Sequence, residues 1–234
     1  MSIFTRPEEP ARGPRPSFSR ARLTEAAIGV ADAEGLKAIS MRRVAAEIGA
    51  GTMSLYRYVS SKDDLIELML DAVSAEYVPD GVEPTGDWRA DLRAFAERGR
   101  QVVLRHPWMA PLVAARQTAG PNRILMMERA LRLLEPLGSS TDGLLTVIGS
   151  VWAYVGGFVA TELAEREAFR ASGMELMEFM TAQGAYIQSV LDGGDYPMWR
   201  RMLAEGGRNY VDPEARFSYG LERLLDGIEA RPPS

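Results

Sequence analysis

Apolar residues recur at spacings of three and four along nearly the whole chain, and no stretch alternates Val, Ile and Thr as a strand would. This regularity restricts the chain to helical architectures, and the fold class expected is all-α. Good caps punctuate the pattern. A first helix carries Leu23, Ala26, Ala27, Val30 and Ala31 on one face, and Gly35 suits its left-handed stop. Ser40 caps a second of about two turns, with Val44, Ala45 and Ile48 on one side and Gly49 at its end. A third is expected to start near Thr52 and run through Leu55, Tyr56 and Tyr58. Ser61 caps a fourth, whose first turn holds Asp63 and Asp64 where the helix dipole favours negative charge. Beyond the Pro/Gly-rich stretch at Pro79, Gly81, Pro84 and Gly86, helices are expected over Trp88 to Arg105, Pro107 to Ala115, Pro121 to Leu137, Thr141 to Ala171, Met174 to Leu191 and Pro213 to Ala230.

Charge is spread unevenly over the 234 residues, and this divides the chain by task. The net charge is -5, yet residues 1–62 hold 10 basic against 6 acidic residues, so a basic amino-terminal segment precedes an acidic remainder. Three parts are expected: a flexible basic arm over 1–18, a basic helical domain over 19–78 that includes a connecting helix, and a larger helical domain over 79–234. Arg6, Arg12, Arg15, Arg20 and Arg22 would let the arm add phosphate or minor-groove contacts; an inert tail is the alternative. With no Cys and a single His, thiolate metal sites, Cys nucleophiles and most acid/base constellations are excluded.

The first residues lack the apolar run of a secretory signal. Gly143 to Thr161 carries no charge and is long enough to cross a bilayer, but its flanks are Asp142 and Glu162 and it contains four Gly with Thr146, Ser150 and Tyr154. A soluble, cytoplasmic protein without membrane attachment is therefore expected.

Ser40 to Lys62, SMRRVAAEIGAGTMSLYRYVSSK, has the grammar of a helix-turn-helix. Ala45 lets two helices approach, Gly49 makes the turn four residues later, and Leu55 packs the second helix onto the first. Outside that plug stand Arg42, Thr52, Met53, Ser54, Tyr56, Arg57 and Tyr58, several of them donors for phosphates and base edges. Lys62 lies at the next helix N-terminus, whose free N–H groups also favour phosphate. A wetted helix hairpin would share the spacing.

The block from Leu23 to Val73, above all LYRYVSSKDDLIELML after the VAAEIGAGTMS turn, resembles the DNA-binding domain of the tetracycline-repressor family. RHPW at Arg105 to Trp108, GGFV at Gly156 to Val159 and FSYGLERLLDGIE at Phe217 to Glu229 resemble its all-α C-terminal domain more weakly. The resemblance implies a homodimeric repressor that binds palindromic double-stranded operator DNA and is released by a small-molecule effector. It implies Arg42, near the end of the motif's first helix, and Thr52 to Ser54 for base contacts, with Tyr56 and Lys62 for phosphates; Arg57 and Tyr58 occupy variable positions. Relatives that bind tetracycline with magnesium use histidine in the pocket, and His106 alone cannot supply a multi-His site. Neither ligand nor metal is carried over, no cofactor is expected, and His106 before Pro107 is read as bridging a helix junction.

Read at 100° per residue, the long uncharged helix places Gly149, Ala153, Gly156, Gly157 and Ala160 on one side, with Val147, Val151, Tyr154, Phe158 and Glu162 opposite. The small side, with Phe217, Leu221 and Leu224, is expected at a two-fold interface, although packing within one subunit fits the same pattern. The bulky side would face an effector cavity drawn from Phe95, Trp108, Met109, Arg123, Met126, Met127, Tyr154, Phe158, Glu162, Met177 and Met180. The rival classes are a helical ligand-binding protein without DNA function and an enzyme. No G-x-S-x-G, H-E-x-x-H or G-x-x-x-x-G-K-[ST] is present, and the glycines of GAGTMS fit the turn better than a dinucleotide loop.

Overall fold

The computed structural model describes residues 2–6, 19–113, 120–205 and 212–233. Among them there is no strand, and eleven α-helices follow one another. The chain forms two compact units, residues 1–156 with 232–234, and residues 157–231.

In the first unit, α1 (Arg20–Glu34) starts at Ser19, whose Oγ accepts from the Arg22 N–H at 3.2 Å, and it stops at Gly35. That glycine has φ +80° but an extended ψ of 166°, so it ends the helix without being left-handed helical. Helix α2 (Met41–Glu47) begins at Ser40, whose Oγ accepts from the Arg43 N–H at 3.1 Å. Its end is a Schellman turn: Ala50 N–H donates to Ala45 O at 2.9 Å, Gly49 N–H donates to Ala46 O at 3.2 Å, and Gly49 takes φ +68°. Helix α3 (Thr52–Leu55) is shorter than expected. Tyr58 and Val59 N–H both turn back to Leu55 O, at 2.9 and 3.1 Å, so Tyr56, Arg57 and Tyr58 lie in a turn after the helix. Helix α4 (Lys62–Ser74) is capped by Ser61, which accepts from the Asp64 N–H at 3.0 Å. Leu23, Ala27, Val30, Val44, Ala45, Leu55, Val59, Leu65 and Met69 are buried and make the core of this head.

The same unit continues with α5 (Trp88–Arg105), a 3-10 turn at Pro107–Met109, α6 (Ala110–Val113), α7 (Pro121–Leu134) and α8 (Thr141–Ser172). Helix α1 packs on α2 and α4, and α7 packs on α4 and α5. Helix α7 starts at Gly120, which has no side chain to cap it, and Asp71 of α4 serves instead: its Oδ1 accepts from the Arg123 N–H at 3.0 Å. A β-carbon at Gly120 would overlap that carboxylate, so glycine is what admits it.

The second unit holds the end of α8, then α9 (Leu176–Asp192), α10 (Pro197–Ala204) and α11 (Pro213–Ala230). Helix α10 is additional to the expected set; Pro197 at its first turn is where a helix tolerates proline. Arg216 forms a bidentate pair with Glu165 at 3.1 and 2.7 Å and lies 5.7 Å over the Phe158 ring, which meets Phe217 edge-on. Helix α8 is long and apolar enough to span a bilayer by length and composition. Val147, Ile148, Val151, Val155 and Val159 along it are buried against the chain itself.

The arm departs from expectation where it is described. Ile3 is buried, residues Ile3–Thr5 pack on α4, and the Arg6 guanidinium pairs with Asp64 at 3.1 Å. Arg20 donates to Tyr58 O and Arg6 O, each at 3.2 Å. Arg22 is exposed on α1, while Arg12 and Arg15 lie outside the described residues.

Candidate functional site

The residues singled out for DNA are exposed or half-buried on the head. Because Val44, Ala45 and Leu55 turn inward, Arg42, Ser54 and Arg57 are exposed; Met53 is 80% and Tyr56 47% exposed. Thr52 and Tyr58 are half-buried, and Lys62 is exposed at the first residue of α4. Arg42 occupies the first turn of α2 rather than its end, since Ser40 starts that helix only two residues before it. Its neighbour Arg43 is committed elsewhere, to Glu34 and Glu47, both at 2.7 Å. The Arg43 hydrogen bond holds the Glu34 carboxyl below its ordinary range. Among the described residues Arg42, Arg57 and Lys62 make no ion pair, so three cations on this surface remain available to an external anion.

A second feature lies at the other end of α4, a cavity of about 280 Å³ lined by Leu70, Ser74, Tyr77, Met109, Arg123, Met126, Met127, Leu145, Ile148, Gly149 and Trp152. Met109, Arg123, Met126 and Met127 are where the sequence pointed. Phe95 stands one layer back, edge-on to Trp152 at 5.4 Å, and Tyr77 meets the same indole at 4.8 Å. Gly99 of α5 leaves room for this ring, which lies 3.3 Å from where a β-carbon would be. Burial pushes the Tyr77 hydroxyl well above the ordinary tyrosine range, against the pull of Arg123. Burial likewise raises Asp71, and its hydrogen bonds from Arg123 and Asn122 only partly offset this.

Five of the residues expected at an effector cavity do not line this one, Phe95 among them. Trp108 is buried away from it because its indole N–H donates to Asp32 of α1 at 2.7 Å. Phe158 packs on Phe217, Glu162 is buried with Arg166 at 2.6 Å, and Tyr154 is half-buried and not part of the lining. The side chains of Met177 and Met180 lie outside the described residues. Conversely, Leu70, Ser74 and Tyr77 were missed, although their spacing of four and three marks one stripe of α4 and the turn after it. Leu145, Ile148, Gly149 and Trp152 form the matching stripe on α8, so Gly149 belongs to the cavity wall as well as to the small-residue row.

Ala153, Gly156 and Ala160 are exposed, as an interface row would be, whereas Phe217 and Leu221 are fully buried within the chain. These two cannot meet a partner directly: they are core, and Leu224 beside them is half-buried.

His106 sits at the junction of α5 and the 3-10 turn, buried, with Nδ1 2.8 Å from Asp32 Oδ1 and Nε2 3.1 Å from Glu76 Oε1. Arg105 holds the other Glu76 oxygen at 2.6 Å. Through Asp32 and Glu76 this junction ties α1 and the end of the α4 segment to His106, three residues before Met109 of the cavity wall. Among the described residues no group of three or more His, Asp or Glu could hold a metal ion.

An exposed cationic helix-turn-helix joined by α4 to an apolar cavity points to a DNA-binding class of regulator. Residues 23–69 match bacterial regulatory proteins of the tetR family, and residues 79–231 match the tetracyclin repressor-like C-terminal domain. The chain is 40% identical over 221 residues to the HTH-type transcriptional repressor DrrR1 of Streptomyces coeruleorubidus, covering 94% of this chain and 80% of that one. An HTH-type transcriptional regulator of Saccharopolyspora erythraea is 34% identical, covering 98% and 92%. Among solved structures, ActR from Streptomyces coelicolor in complex with actinorhodin aligns with a TM-score of 0.73 at 28% identity, over 91% of this chain and 96% of that one. The chain belongs to the tetR family, and it is a DNA-binding transcriptional regulator with an all-α fold.

Proposed function

We propose that the chain is a cytoplasmic repressor that binds a palindromic operator as a homodimer and is released by a small organic effector held in the α4, α7 and α8 cavity. The observation that carries this reading is that Leu70 and Ser74 of the cavity wall lie on the same helix whose first residue is Lys62. Arg42, Thr52 and Ser54 read base edges, Met53 offers apolar contact to a thymine methyl group, and Tyr56 and Lys62 hold phosphates, with Arg57 and Tyr58 beside them. The exposed row of Ala153, Gly156 and Ala160 supports a subunit interface, as do the exposed apolar side chains Tyr186 on α9 and Met198 and Trp199 on α10.

Palindrome half-sites one helical turn apart stand about 34 to 36 Å from each other, so two heads dock together only at a fixed separation. An effector that packs better against a shifted α4, Tyr77 or Met109 displaces Asp71 from α7 or the His106–Asp32 tie from α1, and the heads lose register. Its affinity must differ between the two placements for release to occur. That ActR was solved both alone and in complex with actinorhodin agrees with such a use of the domain. The test is a footprint on the DNA flanking the chain's own gene, repeated with candidate compounds. Protection of an inverted repeat, lost with one compound, is expected; binding without a symmetric footprint overturns the homodimer reading.

A further inference from the structure

The cavity wall has a chemical bias that narrows what fills it, and this argument rests on the effector reading above. Among the described wall residues there is no carboxylate, amide or imidazole. The polar groups are the Arg123 guanidinium, the Tyr77 hydroxyl, the Trp152 indole N–H and Ser74, whose proton is committed to Leu70 O at 2.8 Å. No hydrogen-bond partner within the described residues takes up the donors of the Arg123 side chain, Tyr77 or Trp152. Asp71, which holds the Arg123 backbone N–H, is turned into the α7 terminus and is not part of the wall. Arg123 is thus the one formal charge lining the cavity among the described residues.

The apolar lining is equally particular. Tyr77 and Trp152 supply ring surface, with Phe95 stiffening Trp152 from behind. Met109, Met126 and Met127 add three polarisable thioethers, which pack well on π-systems and adapt to irregular outlines. At about 280 Å³ the space is near the lower bound for drug-sized ligands, about 300 Å³. We propose that the effector is a flat, fused-ring aromatic acid, or a ring system with an equally anionic oxygen, whose oxygen atoms are received by Arg123 and Tyr77 while its rings lie among Trp152 and the three methionines. A neutral hydrocarbon would leave the donors unmatched, and a cation would be repelled by Arg123.

The experiment titrates the full-length protein with anthracene carboxylate, its isosteric carboxamide and its aminomethyl analogue, following tryptophan fluorescence. The carboxylate should bind about ten-fold or more tightly than the amide, with the amine weakest, as expected for a charge-assisted hydrogen bond. Arg123→Gln should remove most of that preference by lowering carboxylate affinity more than amide affinity, and Arg123→Lys should keep part of it. Thermal melting of each variant checks folding, and the lysine variant carries the test if the glutamine variant unfolds. Equal binding of acid and amide, tighter binding of the amine, no binding of any of the three, or an Arg123→Gln protein that retains the preference would each overturn the proposal. Operator mobility shifts run in parallel separate the two readings. Carboxylate binding without DNA release sinks the effector mechanism and leaves the ligand class standing. DNA release by the amide or amine alone does the reverse.

Discussion

The two ends of α4 use charge in opposite ways. At its start Ser61 closes the helix, Lys62 stands exposed and unpaired, and Asp63 and Asp64 complement the helix dipole. Nine residues on, Asp71 is buried, spends its carboxylate on the first turn of α7 and fits only because the residue facing it is glycine. A charge left in water is available to an outside polyanion but adds little to stability. A charge built into a helix junction holds the fold and offers nothing to an outside partner. Substitutions at the DNA-facing surface should therefore change affinity and leave melting alone, and those at the cavity end should do the opposite first.

The largest expected effect tests the DNA-facing half. Arg42→Ala should weaken the specific operator by about 1 to 3 kcal/mol and relax preference at one base pair, with the melting temperature unchanged. Competition binding at fixed salt against operators varied at each position reads both quantities, and an unchanged operator affinity would remove Arg42 from base reading. Its sharpening partner is Asp71→Ala, which strips the α7 cap and should cost about 1 to 2 kcal/mol in urea unfolding. If the variant's remaining folded fraction bound operator more weakly than wild type at matched active concentration, the two ends of α4 would be coupled even without ligand.

The contrast also explains how far the sequence could be read. The head follows local rules: Ser40, Ser61, Gly49 and Leu55 act within a few residues of themselves, so their spacing in the chain is their spacing in space. Trp88 to Arg105 and Pro213 to Ala230 were bounded by Asp, Pro and Arg signals of the same local kind. The cavity depends on contacts across long sequence separations. Trp108 looked like a pocket aromatic, yet its partner is Asp32, 76 residues away. Reading α8 by residue size put Gly149 in the interface row alone, whereas Leu145, Ile148 and Trp152 repeat the same helical stripe and bring it to the cavity. Phe217 and Leu221 show the converse: a strong apolar face is evidence of burial, and only the fold shows that this chain itself does the burying.

A smaller effect separates reading from holding within the DNA face itself. Lys62→Ala should weaken binding to all duplexes by a similar factor, and the slope of log affinity against log salt should become shallower by about one unit, because one released counterion is lost. Stability should stay within about 0.5 kcal/mol, as for an exposed substitution. A base-dependent loss instead would place Lys62 among the reading groups.

The smallest effect is one of sign, and it sets the buried Asp71 against a surface pair of the second unit. The Arg216 hydrogen bonds hold the Glu165 carboxyl below its ordinary 4.5, so that pair's contribution is complete above 4.5 and is lost as pH falls through the lowered value. Asp71 runs the other way: burial raises it above 3.8, so the contribution of its protonated form is complete below 3.8 and is lost as pH rises through the raised value. Urea unfolding between about pH 3 and pH 6 should therefore show Glu165→Gln flattening the acid-side loss of stability. Asp71→Asn should flatten an opposing trend, in which wild-type stability declines with rising pH. The Glu165→Gln change should stay below about 1 kcal/mol, because that pair shares its charge with solvent. If the two variants moved the pH profile in the same direction, the carboxylate at the α7 terminus would be held by its hydrogen bonds more than it is penalised by burial. The cavity end of α4 would then resemble its DNA-facing end in how it carries charge.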